Sequence, residues 1–195
     1  TTGTRNIAIG NYTMANTAGV TGSDNVGIGY YAGGAITTGQ YNFLGGYQAG
    51  YSATTASNTI AIGQNAGYSN TNGAYQIAIG QESAYASNGL TNYTLAIGYR
   101  ANRNGTGAKN LAIGHQALEH VSAATHNSAE NVAIGYQSMR YIDTGSGNTA
   151  VGVQSGLSVT TGGNNSMFGF YAGYGTTTGT QNTDIGTYAQ SAGHT

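Results

Sequence analysis

Cysteine, proline and tryptophan are absent from this chain of 195 residues, and Lys, Arg, Asp and Glu together make up only 6% of it. Without cysteine, no disulfide and no thiolate metal site holds it together, which permits an extracellular setting. Five Lys+Arg against six Asp+Glu leave a net charge of −1. That is too little basic character for a nucleic-acid backbone or an anionic membrane, so neither is expected as a partner. No apolar run approaches the ~18 residues that span a bilayer, and no membrane insertion is expected. The opening Thr1–Arg5 carries no Met and no signal-like apolar stretch, and reads as the start of an excised or processed segment. Large apolar residues are scarce as well: 13 Ile, 7 Val, 6 Leu and 3 Phe make up about 15% of the chain, a level at which composition alone points to disorder. Disorder normally goes with high net charge, which is missing here. Something other than a bulky core or charge repulsion must organise the chain.

What is plentiful is glycine, with 34 residues, and it recurs on a beat. Units of the form Asn-x-small-aliphatic-Gly appear as Asn6–Gly10, Asn25–Gly29, Asn110–Gly114, Asn131–Gly135 and Asn148–Gly152. With the Gly as anchor, the copies stand at Gly10, Gly29, Gly46, Gly63, Gly80, Gly98, Gly114, Gly135, Gly152, Gly169 and Gly186. The mean interval is 17.6 residues, so positions 1–195 read as one repeat domain.

Each column of the repeat has a physical requirement. The residues one and three before the anchor are mostly Ile, Val, Leu or Phe, as in Ile113 and Ile134, and an apolar i, i+2 pair marks one face of a strand. Gly45 is the exception, and either it or Gly46 can serve as the anchor of that copy. Between the two apolar positions stands Ala in most copies, including Ala112 and Ala133, and a charge only at Asp184. Strands without a polar face are buried on both sides. The sequence therefore predicts Ile and Val filling the interior, with the Ala side packed closely against other subunits. Three residues after the anchor the side chain is always small. The anchor glycine suits a backbone angle or close approach that a Cβ would obstruct. Asn110, Asn131 and their counterparts suit a bend, and stacked Asn in successive coils would form a ladder. Thr37-Thr-Gly39, Thr160-Thr-Gly162 and similar runs mark corners.

A unit of this length holds two short strands and two turns, which makes the expected fold an all-β, parallel β-roll or β-solenoid of about eleven coils. At ~4.8 Å per coil it forms a rod roughly 50 Å long. The chain starts directly in a motif and stops mid-unit at Gly193-His-Thr195, as an uncapped piece of a longer fibre would.

Asn131-Val-Ala-Ile-Gly-Tyr-Gln-Ser138 and Asn110-Leu-Ala-Ile-Gly-His-Gln-Ala117 resemble the head repeats of trimeric autotransporter adhesins and the related repeats of phage tail fibres. Weaker matches cover essentially the whole chain. The resemblance implies a left-handed parallel β-roll, three identical chains side by side, an extracellular place on a virion tail fibre or bacterial surface, and attachment to a surface glycan or receptor. The units are longer than is usual in adhesin heads, and those with Tyr-Gln-Ala-Gly and Thr-Thr-Gly look more like the tail-fibre kind.

No catalytic motif, metal-ligand spacing or cofactor loop stands out, so the chain is not expected to be an enzyme, and neither a metal nor a cofactor is assigned. Gly27-x-Gly29-x-x-Ala32 has the look of a dinucleotide loop but belongs to the repeat. The six acids fall in different columns, leaving a fibre-associated polysaccharide depolymerase as a distant alternative. His115, His120 and His126 fall in or beside the longest interval, whose extra residues within Glu119–Glu130 predict a bulge that carries recognition. Tyr51, Tyr68, Tyr85 and Tyr174 share the column five past the anchor. The first three are expected to stack, with a sugar-binding strip or plain cross-coil packing as the two roles. Together with His120 and His126 they are the candidate ligand residues. Thr37, Thr54, Thr71, Thr106, Thr160 and Thr177 form a further column, which makes an ice-binding face the main alternative function.

Overall fold

The computed structural model describes residues 2–86, 93–120 and 127–191. Eleven three-residue strands run through it: β1 (Ile7–Ile9), β2 (Val26–Ile28), β3 (Phe43–Gly45), β4 (Ile60–Ile62), β5 (Ile77–Ile79), β6 (Leu95–Ile97), β7 (Leu111–Ile113), β8 (Val132–Ile134), β9 (Thr149–Val151), β10 (Ser166–Phe168) and β11 (Thr183–Ile185). They form one parallel sheet in sequence order, and every strand pairs in register with the next, as in Ala61 with Ala78 and Ile113 with Ile134. There is no helix among the described residues. The chain is a β-solenoid of about ten turns, each rising ~4.8 Å. A coil holds one strand, not the expected two. The rest of it is turn whose backbone N–H groups donate to the adjacent coil, as Gly33 does to Ala49 and Thr37 to Thr54.

The sidedness expected from the sequence is corrected by the structure. Ala61, Ala78, Ala96, Ala112, Ala133 and Ala150 are fully buried inside the roll, while Ile60 and Ile62 beside Ala61, and Ile28, Phe43 and Phe168 at the same positions of other strands, point out. Coil width is the cause. The strand faces a turn lined by Ala32, Ala49, Ala66, Ala101, Ala117 and Ala172, all buried, and the gap between them admits methyl groups but not two layers of Ile. Larger core residues gather farther round the coil, where Ile36, Ile142 and Val159 share the position seven past the anchor. Gly46 is the anchor of its copy, so Leu44 lies in the inward Ala column and Gly45 in the outward one.

Coil width is in turn set by left-handed backbone. The anchor glycines run from φ +120 to +140, where a Cβ on Gly98 would stand 2.4 Å from the Gly114 carbonyl oxygen. Positive φ also recurs in every coil five residues before and two residues after the anchor, at residues such as Tyr41, Tyr75, Lys109, Gln137 and Tyr171. Each non-glycine residue there costs about 1–2 kcal/mol. The ladder between coils holds the geometry, with Gln137 N–H donating to His115 and Tyr75 N–H to Ser57.

The Asn column forms the predicted ladder. Asn148 Nδ2 donates to Asn131 Oδ1 (3.2 Å) and to the Gly162 carbonyl (2.9 Å), while Asn148 Oδ1 accepts from the N–H and Nδ2 of Asn165. The same pattern links Asn6, Asn25 and Asn42. Thr59, Gln76 and Thr94 interrupt it, and among the described residues the buried hydroxyls of Thr59 and Thr94 have no partner.

Candidate functional site

Three surfaces bear on function. The first is the outer face of the sheet. The positions three before, one before and one after the anchor all point out, so Val26, Ile28 and Tyr30 lie side by side in one coil, and Val132, Ile134 and Tyr136 in another. Ile62 is 40% exposed and Ile185 69%. On the same face Tyr30 stacks on Tyr47, and His115 stacks on Tyr136. An apolar band this long on one chain is unusual for a surface left to water.

The second is the tyrosine column. Tyr51, Tyr68 and Tyr85 do stack, at 5.2 and 5.1 Å with planes 12° apart. Tyr31 closes one end edge-on, and the Arg103 guanidinium covers the other, 5.5 Å from the Tyr85 centroid. The ring faces are thereby used within the protein, leaving edges and hydroxyls to a ligand. Burial pushes the Tyr31 and Tyr68 hydroxyls above their ordinary pKa, and neighbouring tyrosines add to it. Tyr174 belongs to a separate cluster with Tyr171.

The third surface, which sequence reading missed, is a charge ladder on coils five to eight. Glu82 accepts from Arg100 Nε (2.9 Å) and Arg103 Nε (2.7 Å), and Glu119 accepts from Arg140 Nε (2.8 Å) with Arg100 Nη1 at 3.7 Å. The partners stand 18 to 21 residues apart, so only the coil geometry brings them together. Arg5 with Asp24 and Lys109 with Glu130 complete the pairing of every Lys and Arg. The hydrogen bond from Arg5 holds the Asp24 carboxyl below its usual range.

His120 is fully buried, its Nδ1 2.7 Å from the Leu118 carbonyl and its Nε2 2.6 Å from Ser128 Oγ, so both ring nitrogens are engaged inside the roll. His126 and half of the expected Glu119–Glu130 bulge, residues 121–126, lie outside the described residues. In the threonine column, the Thr37, Thr54 and Thr160 hydroxyls donate to the carbonyls of Thr54, Thr71 and Thr177 in the next coil. Those donors serve the solenoid. Among the described residues no group of three His, Asp or Glu is placed to hold a metal ion.

No family model, curated protein or solved structure matches the chain.

Proposed function

We propose that this chain is the repeating body of a non-enzymatic, extracellular fibre in which three copies pack side by side, and that the fibre attaches to a cell surface through contacts repeated along its length. The observation that carries the reading is the outward band of Ile, Val, Leu and aromatic residues on β1–β11. Covering a half-exposed Ile is worth about 1 kcal/mol, as at Ile60 and Ile62, and the less exposed apolar pairs on β5–β8 each add a smaller share. Three is the number implied by the resemblance of Asn131–Ser138 and Asn110–Ala117 to adhesin-head and tail-fibre repeats. The residues argued to hold the fibre together are Ile113, Ile134 and their counterparts. Weak contacts repeated on three chains give avidity without one strong site. Light scattering tests the assembly: the reading expects three times the chain's 19.7 kDa, and a stable single chain overturns it.

A further inference from the structure

The charge ladder differs from the other ion pairs in stoichiometry. Arg5 with Asp24 and Lys109 with Glu130 are one to one, whereas Arg100, Arg103 and Arg140 share only Glu82 and Glu119. Two of these guanidiniums are held alike, while Arg100 reaches both carboxylates. Arg103 and Arg140 each bind a carboxylate through Nε, and each lies over a tyrosine ring, Tyr85 at 5.5 Å and Tyr141 at 5.4 Å. Carboxylate on one edge and ring on one face fix the plane of the group, and among the described residues the two Nη atoms of each have no hydrogen-bond partner. The side chains stay 29% and 25% exposed. Guanidinium forks fixed in this way match a pair of oxygens of a carboxylate or sulfate, with the ordering cost already met by the fold.

Spacing narrows the ligand. Arg103 and Arg140 both stand five past their anchors, two coils apart, which places them ~10 Å from one another along the rod. One disaccharide of an extended polysaccharide covers that distance. Tyr85, Tyr68 and Tyr51 continue the same column and offer hydroxyls for the chain beyond the charged groups.

We propose that Arg103 and Arg140 form a binding site for a linear acidic polysaccharide, with anionic groups on alternate sugars seated on successive forks. The site deepens the attachment reading and rests on it for its setting, since it names the class of surface ligand. The binding itself needs only one chain.

The test measures binding of the 195-residue chain to polygalacturonate, dextran sulfate and uncharged dextran at low salt. Binding to an acidic polymer is expected, weakening as salt rises. Polygalacturonate alone assigns a carboxylate ligand, dextran sulfate alone a sulfated one. R103Q/R140Q loses at least roughly tenfold in affinity, R103K/R140K loses less because charge remains without the fork, and R5Q/K109Q, which removes the same charge elsewhere, binds like the parent. No binding to either acidic polymer, equal binding to uncharged dextran, or an equal loss in R5Q/K109Q overturns the proposal. If R103Q/R140Q does not fold, the Lys variant decides, and parent-like affinity there removes the fork from the argument. A single chain that binds through these arginines sinks the trimeric fibre and keeps the site, and a trimer indifferent to acidic polymers does the reverse.

Discussion

A Cβ added to Gly50 would stand 2.6 Å from Leu44 Cδ2, and this relationship is the packing rule of the roll. Wherever the inward strand position holds a large residue, the position six farther on is glycine: Leu44 with Gly50, and Met167 with Gly173. Where the strand holds Ala78, Ala112 or Ala133, the same position takes Ala84, Leu118 or Met139 at similar positive φ. The two positions trade volume in these coils, whereas Ala61 with Gly67 and Ala150 with Gly156 are small at both, and there a side chain of a neighbouring coil comes close instead, Gln76 beside Gly67 and Met167 beside Gly156. Gly50→Ala is therefore expected to destabilise by about 1–3 kcal/mol through overpacking, and Leu44→Ala by about 2–5 kcal/mol through a cavity. Combined, they should lose clearly less than the sum, as read by chemical unfolding of the double-mutant cycle. Additive losses would dissociate the two positions.

The outward band separates assembly from folding. Ile113→Asp with Ile134→Asp alters only positions that point out of the roll, so the circular dichroism of the single chain should survive while the mass by light scattering falls from three chains to one. Ala112→Leu or Ala133→Leu acts on the interior, where neither residue is exposed at all, and each is expected to disturb the coil itself by about 1–3 kcal/mol. A folded trimer carrying both Asp substitutions would remove the sheet face from the interface.

Strand triplets, anchor glycines, the Asn ladder and the Tyr51–Tyr85 stack were legible in the sequence because each is a column with its own chemistry. Which side of β7 faced inward was not. Alternating Ile and Ala reads the same from either side, and the choice falls to coil width. That width depends on left-handed residues such as Tyr75, Gln137 and Lys109, whose types carry no sign of positive φ. The Glu82–Arg103 and Glu119–Arg140 pairs were hidden for a related reason. Acid and base sit in columns whose proximity depends on how the turn after the strand closes.

The Asn ladder has a gap that can be filled. Thr59 occupies an Asn position, its backbone N–H donates to Asn42 Oδ1, and its buried hydroxyl has no partner among the described residues. Thr59→Asn puts an Nδ2 within the geometry that Asn42 uses toward Asn25 Oδ1 and the Ala56 carbonyl. A gain of about 1 kcal/mol is expected in chemical unfolding. Asn148→Ala, which strips partners from Asn131, Asn165 and Gly162, should lose about 2–3 kcal/mol. A neutral Asn148→Ala would mean that the ladder follows the fold without supporting it.

The tyrosine stack makes a prediction at high pH. Burial first, and Tyr85 second, raise the Tyr68 hydroxyl above its ordinary value of 10.0. A phenol that keeps its proton more firmly in the folded chain than in the unfolded one contributes stability that is whole below pH 10.0 and is lost as pH climbs through the folded value. The direction follows from the unfolded chain shedding the proton first. Tyr68→Phe keeps the ring between Tyr51 and Tyr85 but has no proton to lose, so its alkaline unfolding midpoint, followed by circular dichroism, should lie at higher pH than that of the parent. Phenolate absorbance in the parent should show late-titrating tyrosines, fewer of them after the substitution. Coincident alkaline midpoints would mean that ionisation of Tyr68 does not open the stack, and that its ring alone, not its hydroxyl, matters to the coil.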